Sequence, residues 1–298
     1  MRIAFLGMQR AGVECLKFLV ESGENVVCVI PNKNEKGSWY PSICEYAESK
    51  NIEVFAPKRI SSVKSVEYLK TLDIDLMFSV QYDQILRQNV IDVPKLACLN
   101  LHFALLPKYR GCAPIAWNLI NGEEYAGATV HYIDPGVDTG DVVSQMKVKI
   151  EDSDTAYSLY QKVTDISVKL FKHTFSTIKD GSFPRMPQSD IDSLYYNMHA
   201  LDFKKKQLDW TKANDALFNW VRGYIFDPIQ FPYFVFKGQN ALVKRISRSV
   251  TKEVKGEEFQ IIGIDGKSIS VQLRGEIFTL EIDNFAECSF KVGDFVTD

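Results

Sequence analysis

The sequence predicts an α/β chain: a doubly wound, mostly parallel sheet over the first two thirds and a small β-rich domain over the last third. Three observations carry that expectation. Short apolar runs recur at Arg2–Gly7, Val26–Ile30, Ile74–Val80 and Ala97–His102, the pattern of strands buried on both faces. Segments with helical periodicity lie between them, so the order is β-α-β and each crossover is right-handed. Beyond residue 240 the pattern changes to short alternating segments separated by turn residues.

In order along the chain, Arg2–Gly7 is a strand, Val13–Glu21 an amphipathic helix and Val26–Ile30 the next strand. The connecting turn runs Gly7-Met-Gln-Arg-Ala-Gly12, which lacks the Gly-x-Gly-x-x-Gly spacing. The second strand ends in Pro31-Asn-Lys33, with no carboxylate for a ribose, so a nicotinamide dinucleotide is not expected. A polar loop over 31–41 leads to a helix (Ser42–Lys50), a short strand (Glu53–Phe55), a helix (Val63–Thr71) and the strand Ile74–Val80. After Ala97–His102, Pro114 suits the first turn of a helix, and Gly127–Ile133 is a further strand. Thr155–Asp180 has helical periodicity and stops at Gly181, with Pro184 beyond. Residues 182–209 are a polar connection, which places the domain boundary near 203. Ala213–Gly223, carrying Trp220 and Arg222, is the last long helix. Ala241–Ile246, Glu258–Ile264, Ser268–Leu273, Ile277–Ile282 and a closing Val292–Phe295 read as a small open barrel.

Composition excludes several classes. With 46% apolar and 24% charged residues and a net charge of −3, the chain is an ordinary globular one. No stretch approaches the ~20 apolar residues of a membrane span. The apolar run near Met1 is too soon interrupted for a signal peptide. The six cysteines (15, 28, 44, 98, 112 and 288) have no paired spacing, as expected of free thiols in a reducing cytoplasm.

Polar residues concentrate between 98 and 141. Asn100 and His102 lie two apart on a strand and therefore share a face. The turn Asp134-Pro-Gly-Val-Asp-Thr-Gly-Asp141 could return Asp138 to the imidazole. An amide, an imidazole and a carboxylate on strand ends and loops suit proton transfer and oxyanion stabilisation.

Together, Asn100-Leu-His102, Leu105-Leu-Pro-Lys-Tyr-Arg-Gly111, Ala113-Pro114, Trp117, Ile120-Asn-Gly-Glu123 and Gly136-Val-Asp-Thr-Gly-Asp141 resemble the folate-dependent formyltransferases. That family includes methionyl-tRNA formyltransferase, glycinamide ribonucleotide formyltransferase and N-formyltransferases acting on nucleotide-linked amino sugars. The likeness is dense over 75–180, looser over 1–74 and faint beyond 205; the 38-residue interval from Asn100 to Asp138 agrees with the family's spacing. The resemblance implies a Rossmann-like catalytic domain (residues 1–203) and an OB-like C-terminal domain (204–298). It also implies direct transfer of a formyl group from the cosubstrate 10-formyltetrahydrofolate to a primary amine, with no metal. Asn100 and His102 would stabilise the oxyanion, and either His102 or Asp138 would take the amine proton. The folate would lie against Gln81, Tyr82, Ile85 and Leu86, with Asp134 and Asp141 beside it. The acceptor would meet Phe103, Lys108, Tyr109 and Arg110, and could stack on Trp39 and Tyr40.

Charge bears on the acceptor. A tRNA enzyme must hold a polyanion, yet residues 204–298 carry 14 Lys+Arg against 13 Asp+Glu. The 31–41 loop has only Lys33 and Lys36, where tRNA enzymes of the family have a longer basic insertion. The expected acceptor is therefore a nucleoside-diphosphate-linked amino deoxysugar, with methionyl-tRNA the alternative and a non-catalytic folate- or nucleotide-binding protein the third reading. Nucleic acid is a partner only under the tRNA reading. The purine-pathway relatives end near residue 210 and lack a second domain. Residues 195–206 lack the Arg-rich segment of some nucleotide-sugar enzymes, so the diphosphate contacts stay unassigned. A homodimer is expected from the commonness of that assembly.

Overall fold

The computed structural model describes residues 1–33, 35, 39–250 and 255–297; Lys36 of the expected loop lies outside them. In chain order the elements are β1 (Arg2–Gly7), α1 (Gln9–Glu21), β2 (Asn25–Pro31), α2 (Ile43–Ser49), α3 (Val63–Thr71), β3 (Leu76–Val80) and α4 (Gln88–Ile91). Then come β4 (Ala97–His102), β5 (Arg110–Gly111), α5 (Pro114–Ile120), β6 (Tyr125–Tyr132), β7 (Val142–Lys149), α6 (Ala156–Lys179) and β8 (Tyr195–Tyr196). The last third holds α7 (Asn214–Tyr224), β9 (Tyr233–Phe236), β10 (Gln239–Val250), β11 (Ile261–Asp265), β12 (Ser268–Leu273), β13 (Glu276–Ile282) and α8 (Phe285–Cys288).

The first sheet has the order β2-β1-β3-β4-β6-β7. β2, β1, β3 and β4 run parallel, and β6 runs antiparallel to β4. Both faces of β1 are buried, as its unbroken apolar run requires. Ala4 and Leu6 face a cluster with Ile60, Val66 and Leu69. Phe5, on the opposite face, meets Phe171 of α6 edge-on, and Phe171 also meets Phe78 of β3 and Phe18 of α1. Ser42 and Ser62 cap α2 and α3 by accepting the Glu45 and Ser65 N–H groups. The doubly wound, mostly parallel sheet is as the sequence predicts. β7, unnamed in the sequence reading, is a sheet-edge strand that alternates between half-buried and exposed positions from Ser144 to Lys149. The expected strand at 53–55 shrinks to one bridge, Val29 with Val54, because Pro57 follows at once and cannot donate to a ladder.

The last third contains a five-stranded antiparallel sheet in the order β11-β12-β13-β10-β9. Leu217, Phe218 and Val221 of α7 share its core with Val243, Ile269, Val271, Phe278 and Leu280. The closing strand expected at 292–295 is a single bridge, Gln260 with Phe295.

The chain divides into two compact units: Met1–Cys112, Gly127–Val148 and Lys162–Tyr196 in one, and Ala113–Ala126, Lys149–Gln161 and Asn197–Asp298 in the other. The division differs from the expected break at 203. Within the second unit α5 packs on α7, and the Arg222 guanidinium donates to the carbonyls of Glu151, Asp152 and Asp154. These contacts tie 113–126 and 149–161 to the C-terminal sheet across sequence gaps that no local pattern reveals. Gly223 is the contact point: a Cβ there would lie 2.7 Å from Ile120 Cγ1 and 3.2 Å from the Ala116 carbonyl. Helix propensity alone favours alanine by ~1 kcal/mol, whereas overpacking costs ~1–3 kcal/mol. Gly223→Ala is therefore expected to lower the melting temperature, as calorimetry would show; an unchanged or higher value would mean that α5 yields freely.

Among the described residues no helix is long and apolar enough to cross a membrane.

Candidate active site

The candidate residues meet at the ends of β4 and β6 and on the two loops that follow those strands. Register places His131 of β6 directly opposite Asn100, and Thr129 opposite His102. Thr129 braces the chain beyond β4: its hydroxyl donates to the Ala104 carbonyl (2.6 Å) and accepts the Leu106 N–H (3.2 Å). The Tyr109–Gly111 stretch then turns back over the site. Gly111 has φ +91°, and a Cβ there would lie 2.2 Å from the Tyr196 carbonyl oxygen. Glycine is required, and its N–H is thereby aimed at Asp138 Oδ2, 2.8 Å away.

Asp138 sits on the 134–141 loop. Asp134 Oδ1 accepts from the Thr139 hydroxyl (2.6 Å) and the Gly136 N–H (3.1 Å), an Asx-type closure. Asp138 itself adopts φ +54°, a left-handed conformation that costs a residue with a side chain ~1–2 kcal/mol. Its carboxylate is surrounded by N–H donors and imidazoles. Oδ2 lies 3.6 Å from His102 Nδ1; Oδ1 lies 3.4 Å from His131 Nε2 and 3.5 Å from Asn100 Nδ2. Burial alone would raise its pKa. The charge of His102, the hydrogen bond and charge of His131 and the Gly111 N–H outweigh that and hold the carboxyl far below the usual carboxylate range.

The backbone fixes the tautomers, because a carbonyl can only accept. His102 Nε2 lies 2.8 Å from the Tyr109 carbonyl and so carries a proton, leaving Nδ1 to face Asp138. His131 Nδ1 lies 2.8 Å from the Tyr132 carbonyl and is likewise protonated, while Nε2 lies 3.1 Å from Asn100 Nδ2 and 3.4 Å from Asp138 Oδ1. The result is a compact group of Asn100, His102, His131, Asp138 and the Gly111 N–H. His131 was not among the residues expected from sequence. The signal that finds it is the antiparallel register with Asn100, which needs strand pairing and not merely strand identity.

A cavity of about 430 Å³ has in its wall Thr139 and Gly140, directly after Asp138, and Cys98 on β4, while the five grouped residues themselves do not line it. Ile91, Pro94, Leu96, Ala97 and Ile133 give it apolar walls; Asp92, Asp134, Asp141 and Arg185 supply polar groups. The Arg185 guanidinium lies 3.5 Å from the Tyr132 ring centre and 3.4 Å from Asp141. Apolar walls with polar groups among them suit a flat heteroaromatic ligand. Asp134 and Asp141 thus line the cavity, while Gln81, Tyr82, Ile85 and Leu86 are not among its lining residues. The Gln81 carbonyl accepts from Asn32. The Tyr82 hydroxyl is buried without a hydrogen-bond partner among the described residues. Ile85 is exposed, and Leu86 belongs to the sheet core.

The residues expected to meet the acceptor are dispersed. Phe103 and Tyr109 are buried, with Tyr109 stacked on Tyr196. Lys108 is exposed. Trp39 and Tyr40 pack edge-to-face on each other with ring centres 5.0 Å apart. Arg110 is buried and engaged with Gln188 and Asp190. Among the described residues no group of three His, Cys, Asp or Glu side chains is arranged to hold a metal ion.

Residues 1–174 match the family model described as formyl transferase. The methionyl-tRNA formyltransferase of Acetivibrio thermocellus is 35% identical over 248 residues, covering 82% of this chain and 78% of that protein. The corresponding enzyme of Ruminiclostridium cellulolyticum is 30% identical over 302 residues, covering 99% and 96%. Among solved structures, WlaRD, a sugar 3N-formyl transferase crystallised with dTDP and 5-N-formyl-THF, superposes with a TM-score of 0.78 at 26% identity over 95% of this chain and 98% of its own. An N-formyltransferase from Helicobacter canadensis shares the fold, with a TM-score of 0.78 at 24% identity over 94% and 98%.

Proposed function

Because the chain belongs to the formyl transferase family and is a folate-dependent N-formyltransferase, we propose that it formylates the primary amine of a nucleoside-diphosphate-linked amino deoxysugar. The observation that carries the acceptor is charge. The C-terminal 95 residues balance 14 cations against 13 anions in a chain of net charge −3, whereas binding an RNA polyanion rests on clustered Lys and Arg. The likeness to WlaRD, which spans nearly the whole of both chains, supports the same reading. Methionyl-tRNA is the second reading, favoured by curated relatives that match 99% of the chain at 30% identity.

The cavity beside Asp138 is the place for the pterin, with Asp134, Asp141 and the apolar walls around Cys98 and Ile133 holding it. When bound, 10-formyltetrahydrofolate supplies an electrophilic formyl carbon. Asn100 Nδ2 donates to the oxygen on which negative charge develops. Asp138, held ionised, is a poor base near neutral pH; the proton goes to His102 Nδ1, the ring nitrogen not committed to the Tyr109 carbonyl. Asp138 Oδ2 then stabilises the imidazolium, which would return the proton to the folate N10 as the formyl–N10 bond breaks and the new amide is released. His131 keeps Asn100 and Asp138 aligned.

The test offers the protein 10-formyltetrahydrofolate with dTDP-linked 3-amino and 4-amino deoxysugars, and with charged initiator Met-tRNA alongside, followed by mass spectrometry. One added formyl group on a sugar is expected. Formylation of Met-tRNA with no reaction on any sugar would establish the second reading.

A further inference from the structure

We propose that Arg110 and Gln188 form a clip that positions Asp138, and that Arg110 therefore serves the carboxylate and not a phosphate of the acceptor. This rests on the reading of Asp138 given above. The two residues lie 78 positions apart. The Arg110 Nε and Nη2 groups donate to the same oxygen, Gln188 Oε1, at 3.1 and 2.8 Å. Gln188 Nε2 donates to two carbonyls, those of Asp138 (2.9 Å) and Gly140 (2.7 Å). The amide orientation is fixed by this chemistry: turned over, its NH₂ would face guanidinium donors and its oxygen would face two carbonyls. Both amide protons and the amide oxygen are thus in use, and the two bonds from Nε2 bear on one short stretch of backbone.

That stretch holds Asp138 in its left-handed conformation. Such a conformation persists only where its surroundings over-determine it. The Gln188 amide pins the carbonyls on either side of Thr139, while Gly111, next to Arg110, pins the carboxylate from its other end. Arg110 is itself anchored: its N–H donates to the Leu194 carbonyl at 2.8 Å, and Nη1 lies 3.3 Å from Asp190. Residues 188–196 therefore act as a strap that sets where the carboxylate stands relative to His102 and the Gly111 N–H.

Gln188→Glu separates positioning from packing. It preserves size and adds an ion pair with Arg110, but sets an anion against the two carbonyls in place of the donors. Gln188→Met keeps the length and removes every hydrogen bond. If the clip positions Asp138, both variants lower kcat ~10–10²-fold, the range of a small misplacement. The KM values for folate and for the acceptor that turned over in the panel stay within about threefold. The Gly111 amide, donor to Asp138, also exchanges faster with solvent, a readout that needs no acceptor. Parental kcat in both variants, or lost kcat with unchanged Gly111 protection, would overturn the proposal. So would a raised acceptor KM at unchanged kcat. Asp138→Asn run in parallel keeps the two readings apart: if it retained activity, the role of Asp138 would fail, while Gly111 exchange in Q188E would still report on the clip.

Discussion

Asn100→Ala is expected to lower kcat by about 10²–10³-fold, the usual cost of one oxyanion donor, while the KM for 10-formyltetrahydrofolate changes little. The geometry sets both halves of that expectation. Asn100 Nδ2 is directed into the group, 3.1 Å from His131 Nε2 and 3.5 Å from Asp138 Oδ1. The cavity wall at Cys98 and Ile133 is untouched by the change. Stability should barely alter, because Asp138 keeps the Gly111 N–H and His131 keeps the Tyr132 carbonyl. Asn100→Asp is expected to be worse on both counts, since it sets a second carboxylate about where Asn100 Nδ2 meets Asp138. Steady-state kinetics with a stopped-time mass assay decides: kcat within threefold of the parent in N100A would remove Asn100 from the chemistry.

The sequence shows the sheet well where local physics decides it. Val63–Thr71 reads as a helix from its periodicity, and α3 has those bounds. Ala97–His102 and Ser268–Leu273 are strands with the bounds that their apolar patterns suggest. The catalytic candidates are legible for a related reason: Asn100 and His102 need only a strand's two-residue repeat to come together, and Asp138 needs only a turn. What stays hidden depends on pairing across distance. His131 is an ordinary strand residue until β6 is laid antiparallel to β4. Gln188 sits in a segment that reads as a polar linker, and nothing within it points to Arg110.

Arg110 makes a related point. An arginine in a loop beside candidate catalytic residues suggests contact with the acceptor, but only burial and the partners of each nitrogen tell what it holds. Arg222 makes the same point in the second unit, where its guanidinium gathers three carbonyls and pulls 149–161 away from the domain that the linear order assigns it. Buried arginines satisfy backbone oxygens that no periodicity reveals.

Asp138→Asn is expected to lower kcat by ~10²–10⁴-fold, the span of acid–base assistance, and to change how stability depends on pH. The carboxylate now accepts the Gly111 N–H on one oxygen and faces His131 on the other. An amide can accept on one side only, and turns its NH₂ against a donor on the second. The imidazolium formed at His102 also loses its counter-charge. For the parent protein the folded carboxyl is held below its usual value, so between that value and the ordinary ~3.9 the folded state binds fewer protons than the unfolded one. Stability from this group is therefore complete above about pH 5 and falls as pH drops through the usual carboxylate range toward the depressed value. Melting temperatures of parent and D138N should differ most near neutrality and converge on acidification below pH 4. A gap that stays constant from pH 7 to pH 3 would show that the ionised carboxylate is not what the two imidazoles and the Gly111 N–H hold, and with it would go the assignment of His102 as the base.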